Sequence, residues 1–212
     1  MQPVTRMKLN CIIDTCSCIN LSNTEYLQEP LLKYLNDEAH LNYSNEVHIE
    51  LRDHKDKNLP TFIHEKRRKL KVGKQTMNEY ERRMLGAVIP SRKKKGNKGE
   101  VDNFLASVDQ IHHVKKNSVI FITDDENATN GIFATWTESF PVIKVWSSYE
   151  VVLFLYAEKI IPSKDIAINL VKDLVAFTSP IPSKRSEETT TKLTKLLKRY
   201  YQRIENISKL LN

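Results

Sequence analysis

Two short apolar runs, each ending directly in aspartate, constrain the fold of this chain more than any other feature. The first covers residues 8–13 and stops at Asp14, and the second covers residues 118–123 and stops at Asp124. Both contain β-branched residues and are too short for a stable helix, which is typical of strands buried inside a sheet. Because such strands are apolar on both faces, they favour a parallel sheet covered by helices.

Further strands and helices alternate along the chain. Apolar runs predict strands around residues 41–43 and 140–146, and Ser44 or Asn45 is suited to cap the helix after the first of these. Other helices are predicted to begin near Glu100, Tyr149, Ser163 and Ser186. This order predicts an α/β fold with a mainly parallel central sheet flanked by helices.

One segment near the amino end leaves two alternatives open. Ser22 and Glu25 have the spacing of a capping box, and Leu27 and Leu31 follow at helical spacing. Pro30 would either begin a second helix at its first turn or kink the first one.

The positive charge of the chain is concentrated in one segment. The net charge is +7, yet residues 52–99 contain 16 lysines and arginines against five aspartates and glutamates. The densest clusters are Lys66, Arg67, Arg68 and Lys69, and Arg92, Lys93, Lys94 and Lys95. This basic insert is either a phosphate-binding patch or a solvated helix and loop.

Composition excludes several classes of protein. No run approaches the ~20 apolar residues of a membrane helix, and five glycines without a Walker-type motif argue against a phosphate-binding loop. The three cysteines lack the spacing of a zinc site and are odd in number, which indicates a reduced, cytoplasmic protein.

Four acids are predicted to meet at one edge of the sheet. Asp14 and Asp125 follow strands whose carboxyl ends face the same way, Glu50 lies on the helix after the second strand, and Asp102 lies in the first turn of a later helix. Carboxylates brought together would repel one another unless a hard cation such as Mg²⁺ or Mn²⁺ bound them. The alternative is that the two aspartates are ordinary strand-end residues and the other two acids lie on helix surfaces.

These motifs, in this order, resemble those of PIN-domain nucleases. The matching segments are residues 14–21, which begin Asp-Thr, residues 44–51, in which Ser44 precedes Glu50-Leu51, residues 99–106 around Asp102, residues 122–125, which contain Thr-x-Asp, and residues 142–145. The length of the segment between Glu50 and Asp102 resembles the longer PIN-like proteins, which carry a helical insert there. The resemblance implies a PIN-like domain over residues 7–158, with the insert at 52–99, and a helical extension over residues 159–212 packed on the same domain.

The resemblance also implies roles for individual residues. Asp14, Asp102 and Asp125 would bind Mg²⁺ or Mn²⁺, with Glu50 as a ligand or as an acid behind the ligands. Asp124 and Glu100 would assist these ligands or substitute for one of them. Thr15 and Thr123 would hydrogen-bond the carboxylates. The two basic clusters would hold the RNA backbone. Glu46 competes with Glu50, because it lies one helical turn away on the same face.

Three hypotheses about function follow. The first is a metal-dependent endoribonuclease, acting as a toxin or a defence effector. The second is a non-catalytic nucleic-acid-binding or scaffold protein with a PIN-like fold. The third, compatible with the first, is that the apolar stripe from Leu193 to Leu211 binds a protein inhibitor, another partner or a second copy of the chain. The choice between RNA and DNA, and the number of metal ions, stay open.

Overall fold

A computed structural model describes residues 8–54, 58–84, 98–125 and 140–211 of the chain. Its strands are β1 (Leu9–Ile13), β2 (Glu25–Tyr26), β3 (Glu29–Pro30), β4 (Ala39–Ser44), β5 (Lys69–Leu70), β6 (Val119–Ile122) and β7 (Ile143–Trp146). Its α-helices are α1 (Thr15–Ser22), α2 (Leu31–Glu38), α3 (Asn45–Asp53), α4 (Lys74–Met84), α5 (Lys98–His112), α6 (Ser148–Ala157), α7 (Lys164–Thr178) and α8 (Glu187–Leu211). Single 3-10 turns cover Thr61–His64, Lys66–Arg68 and Pro182–Lys184.

The central sheet has five strands in the order β5-β4-β1-β6-β7. Every pairing in it is parallel, and β1 lies in the middle, with Cys11 opposite Leu41 of β4 and Ile120 of β6. The predicted α/β fold with a parallel sheet flanked by helices is therefore confirmed. Since all strands run the same way, all their carboxyl ends lie along one edge.

The strands are buried on both faces, as their apolar sequences require. Cys11 and Ile13 of β1 face a core shared with α1, α2, α6, α7 and α8, whereas Ile12 faces a core shared with α5. This division follows from the two-residue period of a strand. The same alternation in β6 places Ile122 with the first core and Phe121 with the second.

The capping box at Ser22 and Glu25 was a wrong prediction. Helix α1 ends at Ser22, and β2 and β3 form a small antiparallel hairpin before α2 begins at Leu31. Leu27 and Gln28 turn this hairpin with positive φ angles of 50° and 64°. Pro30 is the cap residue before α2, so it stands just outside a second helix instead of kinking a single one.

The last two helices share the core of the sheet. Ser163 caps α7 as predicted, because its hydroxyl accepts a hydrogen bond from the amide of Ile166 at 3.3 Å. Tyr200 and Ile204 of α8 are buried in the cluster that also holds Ile13 and Ile122. Among the described helices, none combines the length and the apolar character that crossing a membrane would need.

Helix α4 of the basic insert is anchored to α5 by an aspartate. Asp109 of α5 accepts hydrogen bonds from the amide of Gly73 at 3.2 Å and from the hydroxyl of Thr76 at 2.7 Å. Both donors lie at the start of α4, where the helix dipole also favours a negative charge. The second basic cluster, Arg92 with residues 93–95, lies outside the described residues.

Candidate active site

The predicted acids lie on elements that meet at the carboxyl edge of the sheet. Asp14 follows β1, and its amide donates to the carbonyl of Ile122 in β6 at 3.0 Å. Asp124 and Asp125 come two and three residues after Ile122. The central position of β1 therefore places Asp14 directly beside the end of β6.

Asp14 is a buried carboxylate at the start of α1. It is 3% exposed, accepts a hydrogen bond from the amide of Ser17 at 2.7 Å, and accepts another from the hydroxyl of Thr123. Burial, with a smaller contribution from the negative charge of Asp124, raises its pKa to about 7 despite the lowering effect of these hydrogen bonds.

Thr123 links two of the predicted ligands. Its hydroxyl donates to Asp14 and accepts from the backbone amide of Asp125 at 3.2 Å. Asp125 itself is half-buried. The threonine thus fixes the Asp14 carboxylate and the start of the segment that carries Asp125 with one hydroxyl group.

Asp124 is held between two helices. Its carboxylate accepts hydrogen bonds from the amide of Ser148 at 2.7 Å, from the hydroxyl of Ser148, and from the side chain of Asn20 at 2.6 Å. Ser148 is the first residue of α6, and Asn20 lies on α1. Asp124 therefore joins the two helices beside Asp14, and both of its carboxylate oxygens accept hydrogen bonds.

Glu50 lies between α1 and the start of α5. The hydroxyl of Thr15 donates to its carboxylate. A Cβ atom at Gly99 would lie only 3.2 and 3.3 Å from the two carboxylate oxygens. Gly99 thus lets Glu50 approach the amino end of α5, where the helix dipole favours a negative charge. Glu46, its competitor, is half-buried in the first turn of α3.

Asp102 and its neighbour Asn103 are both buried on α5. Asp102 is 3% exposed, and Asn103 is fully buried. The side-chain oxygen of Asn103 accepts a hydrogen bond from the backbone amide of Ser44 at 2.9 Å. Its side-chain nitrogen donates one to the backbone carbonyl of Ile13 at 3.1 Å. It therefore clamps α5 across the carboxyl ends of β4 and β1. The sequence analysis gave Asn103 no role, although a polar residue beside Asp102 in an apolar stretch was a visible signal.

The acids share an edge but do not form one tight cluster. Within the ranges that the structure describes, no three histidine, cysteine, aspartate or glutamate side chains are grouped so that they could hold a metal ion. The side chain of Glu100 lies outside the described part. The oxygen donors have the chemistry that Mg²⁺ and Mn²⁺ prefer.

Two arginines of the basic cluster at residues 66–69 lie away from the acids, whereas Lys69 pairs with Tyr43 near the carboxyl end of β4. Arg67 and Arg68 line a groove with Lys8 and His40, at the amino ends of β1 and β4. At roughly 3.3 Å per residue, a strand of this length separates the two edges by roughly 15 Å or more. Arg68 is also engaged in the fold, because it donates to the carbonyl of Leu41 at 3.2 Å and its side chain is only 12% exposed.

Helix α8 brings charged residues to the carboxyl edge, which the sequence analysis missed. Tyr200 of α8 donates to Glu150 of α6 at 2.6 Å, and Arg203 forms an ion pair with the same carboxylate. Glu150 also accepts from the amide of Ser147, directly after β7, at 2.9 Å. Burial raises the pKa of Glu150, but these hydrogen bonds outweigh it and lower that pKa below its ordinary value. The end of β7 is thereby tied to α8.

The close approach of Glu50 to Gly99 gives a testable prediction about stability. Replacing glycine by alanine inside a helix normally stabilises it by about 0.5–1 kcal/mol. We expect Gly99→Ala to give this gain only in a Glu50→Ala background, because in the native chain the new methyl group pushes against the carboxylate. Urea unfolding of the four proteins of the double-mutant cycle measures the difference. Equal effects in both backgrounds would show that the two residues are not in contact.

Comparisons of the chain with protein-family models, with curated proteins and with solved structures found no significant match. The likeness to PIN-domain nucleases therefore stays a prediction carried by the motifs of this sequence.

Proposed function

We propose that the chain is a metal-dependent endoribonuclease of the PIN-like type, with Asp14, Asp102 and Asp125 as ligands of Mg²⁺ or Mn²⁺ and Glu50 beside them. The observation that carries the proposal is the buried carboxylate of Asp14 next to Asp124. Burial together with a neighbouring negative charge is costly for a carboxylate. A divalent cation at this edge would offset that cost.

The residues around Asp14 are arranged to keep its carboxylate in place. Ser17 and Thr123 each donate to it, so its orientation is set before any cation binds. Thr15 does the same for Glu50. The chemistry that a bound cation supplies is activation of water for attack on a phosphodiester and stabilisation of the leaving oxygen. Preoriented oxygen ligands support this, since mobile carboxylates would have to be ordered on binding.

A second candidate function is a nucleic-acid-binding or scaffold protein without catalytic activity. One observation favours it: among the described residues, no three acids are placed so that they could share one ion. In this alternative, Asp14 caps α1, Asp124 joins α1 to α6, and the buried acids serve only the fold. The two functions differ in whether a divalent cation binds at the edge and whether RNA is cut.

Cleavage of single-stranded RNA with and without divalent cations tests the proposal. We expect cleavage in Mg²⁺ or Mn²⁺, none in excess EDTA, and a loss of roughly 100-fold or more in Asp102→Asn and Asp125→Asn. Asp173→Asn, the same change on an exposed position of α7, is the matched control and should cut as fast as the native chain. Cleavage that persists in EDTA would refute the metal-dependent mechanism, and binding without cleavage in saturating Mn²⁺ would establish the alternative.

The wider biological setting is part of the same proposal. An RNA substrate is consistent with a basic chain, and a cytoplasmic location with its reduced cysteines. Three further points stay predictions from the sequence. They are a role as a toxin or defence effector, the binding of a protein inhibitor, and the formation of a homodimer.

A further inference from the structure

A groove between α6 and α8 opens beside the acidic edge. It has a volume of about 400 Å³ and is lined by the aromatic rings of Trp146 and Phe154 and by the polar side chains of Glu150, Arg203 and Asn206. Small-ligand sites combine an apolar wall with a few polar groups in just this way. Both rings pack against the main core on one side and stay partly exposed on the other.

The groove is directly connected to the proposed catalytic edge. Trp146 is the last residue of β7, and its carbonyl accepts a hydrogen bond from the amide of Thr123 at 2.8 Å. The hydroxyl of the same threonine donates to Asp14. Thr123 therefore links the backbone of Trp146 to the buried carboxylate of Asp14 through two hydrogen bonds.

The walls of the groove suit a nucleobase. The rings of Trp146 and Phe154 lie 5.6 Å apart and are tilted by 43°, so they present an aromatic surface without stacking fully on each other. Unpaired bases stack on such surfaces whatever their sequence. Asn206 adds an amide at the rim, and amides form hydrogen bonds with base edges.

Helix α8 carries more positive charge beside the groove than its acidic partner neutralises. Arg199 and Arg203 lie one turn apart, and both guanidinium groups contact the ring of Tyr200, at 4.9 and 5.3 Å from its centre. Glu150 forms an ion pair with Arg203 and also attracts Arg199, so one carboxylate faces two guanidinium groups. Like charges at this spacing repel, so an anion bound next to them would be favoured. The Arg203 side chain is 44% exposed and keeps donors for a phosphate.

We propose that this groove binds an unpaired nucleotide of the RNA substrate, with its base on Trp146 and its phosphate on Arg203 and Arg199. The proposal rests on the proposed nuclease function and gives it a substrate class, single-stranded RNA. It also assigns contact with the RNA backbone to α8, because Arg67 and Arg68 of the first basic cluster line a groove at the amino ends of β1 and β4.

Binding of a short fluorescein-labelled single-stranded RNA in EDTA, followed by anisotropy, tests the groove without cleavage. We expect Trp146→Leu and Arg203→Gln each to weaken binding about tenfold or more. Lys198→Gln removes a positive charge from the same helix outside the groove and should change binding less than twofold. Trp146→Phe, which keeps an aromatic ring, should retain most of the binding. If Trp146→Leu weakened binding only through a structural defect, an aromatic replacement would not be expected to restore it.

Tryptophan fluorescence supplies a second measurement that does not depend on the stability of the leucine variant. The chain has two tryptophans, so Trp146 is the only one in Trp136→Phe. We expect the RNA to quench the fluorescence of this variant, and double-stranded RNA to quench it much less. Unchanged fluorescence on saturation with single-stranded RNA would overturn the proposal.

The outcomes separate this inference from the proposed function. Cleavage in Mn²⁺ with RNA affinity unaffected by Trp146→Leu and Arg203→Gln would leave the nuclease and overturn the groove. Binding that depends on Trp146 without any cleavage would support the groove and the non-catalytic alternative. A change from dimer to monomer in Trp146→Leu, with RNA binding unchanged, would identify the groove as a protein interface and overturn the proposal.

Discussion

Replacing Asp14 with asparagine is expected to stabilise the cation-free protein at pH 8 while abolishing cleavage of RNA. The pKa of Asp14 is about 7 in the folded chain, well above the ~3.9 of an unfolded aspartate. The folded state therefore binds this proton more tightly, and the free energy of unfolding falls as the pH rises from about 4 to about 7. Asparagine does not ionise, so the variant escapes this loss, which amounts to roughly 2–4 kcal/mol.

Thermal unfolding across pH measures this effect. At roughly 2–4 °C per kcal/mol for a chain of this size, the Tm of Asp14→Asn should exceed that of the native protein by about 5–15 °C at pH 8. The two should nearly coincide below about pH 3, where the aspartate is largely protonated in both the folded and the unfolded state. Saturating Mn²⁺ should raise the Tm of the native protein and not that of the variant, because only the native site binds the ion. Equal Tm values for the two proteins from pH 4 to pH 8 would contradict the prediction.

Replacing Asn103 with leucine is expected to have the largest destabilising effect. The change leaves two buried backbone groups without partners, the amide of Ser44 and the carbonyl of Ile13. Each unsatisfied group costs about 1–3 kcal/mol, so we expect a loss of about 3–5 kcal/mol in the free energy of unfolding. The clamp also sets the position of Asp102, the adjacent residue, so the variant should lose RNA cleavage even under conditions where it is folded.

Urea unfolding measures the stability of this variant against two others. Asn169→Leu makes the same substitution on an exposed position of α7 and should change the free energy of unfolding by less than about 0.5 kcal/mol. Asn103→Asp keeps an acceptor for Ser44 and, when protonated at low pH, offers one O–H donor to Ile13 in place of the amide, so at low pH it should fall between the leucine variant and the native protein. A loss below about 1 kcal/mol for Asn103→Leu would show that the clamp does not hold α5 to the sheet.

Much of the fold could be predicted because its signals are local. The strand that ends at Asp14 is visible in a run of a few apolar residues, and the caps at Ser44 and Ser163 in single side chains beside helical spacing. The hairpin at Leu27 and Gln28 could not, since neither residue is one of the types that usually adopt positive φ. The leucines there have helical spacing, but the backbone forms a hairpin and not a helix.

The sequence predicted which strands and helices carry the acids of the candidate site, but not the contacts between the residues of that site. The sequence placed Asp14 and Asp102 at strand and helix ends, and the structure has them buried near the same edge. The contacts that organise this edge join residues far apart in the chain, such as Asn103 with Ile13 and Tyr200 with Glu150. Such pairs leave no periodic pattern, because each partner looks like an ordinary polar residue in its own segment. Whether the described acids form one metal-binding group also depends on side-chain directions that spacing does not encode.

The attachment of α8 to the end of β7 has a consequence for the order in which the proposed site forms during synthesis. A ribosome makes the chain from its amino end, so Asp14, Asp102 and Asp125 emerge before Tyr200 and Arg203. Until α8 arrives, Glu150 lacks the hydroxyl and the guanidinium that hold it, and the wall of the groove formed by α8 does not exist. A nascent chain therefore carries the proposed ligands before it has the surface proposed to hold RNA against them.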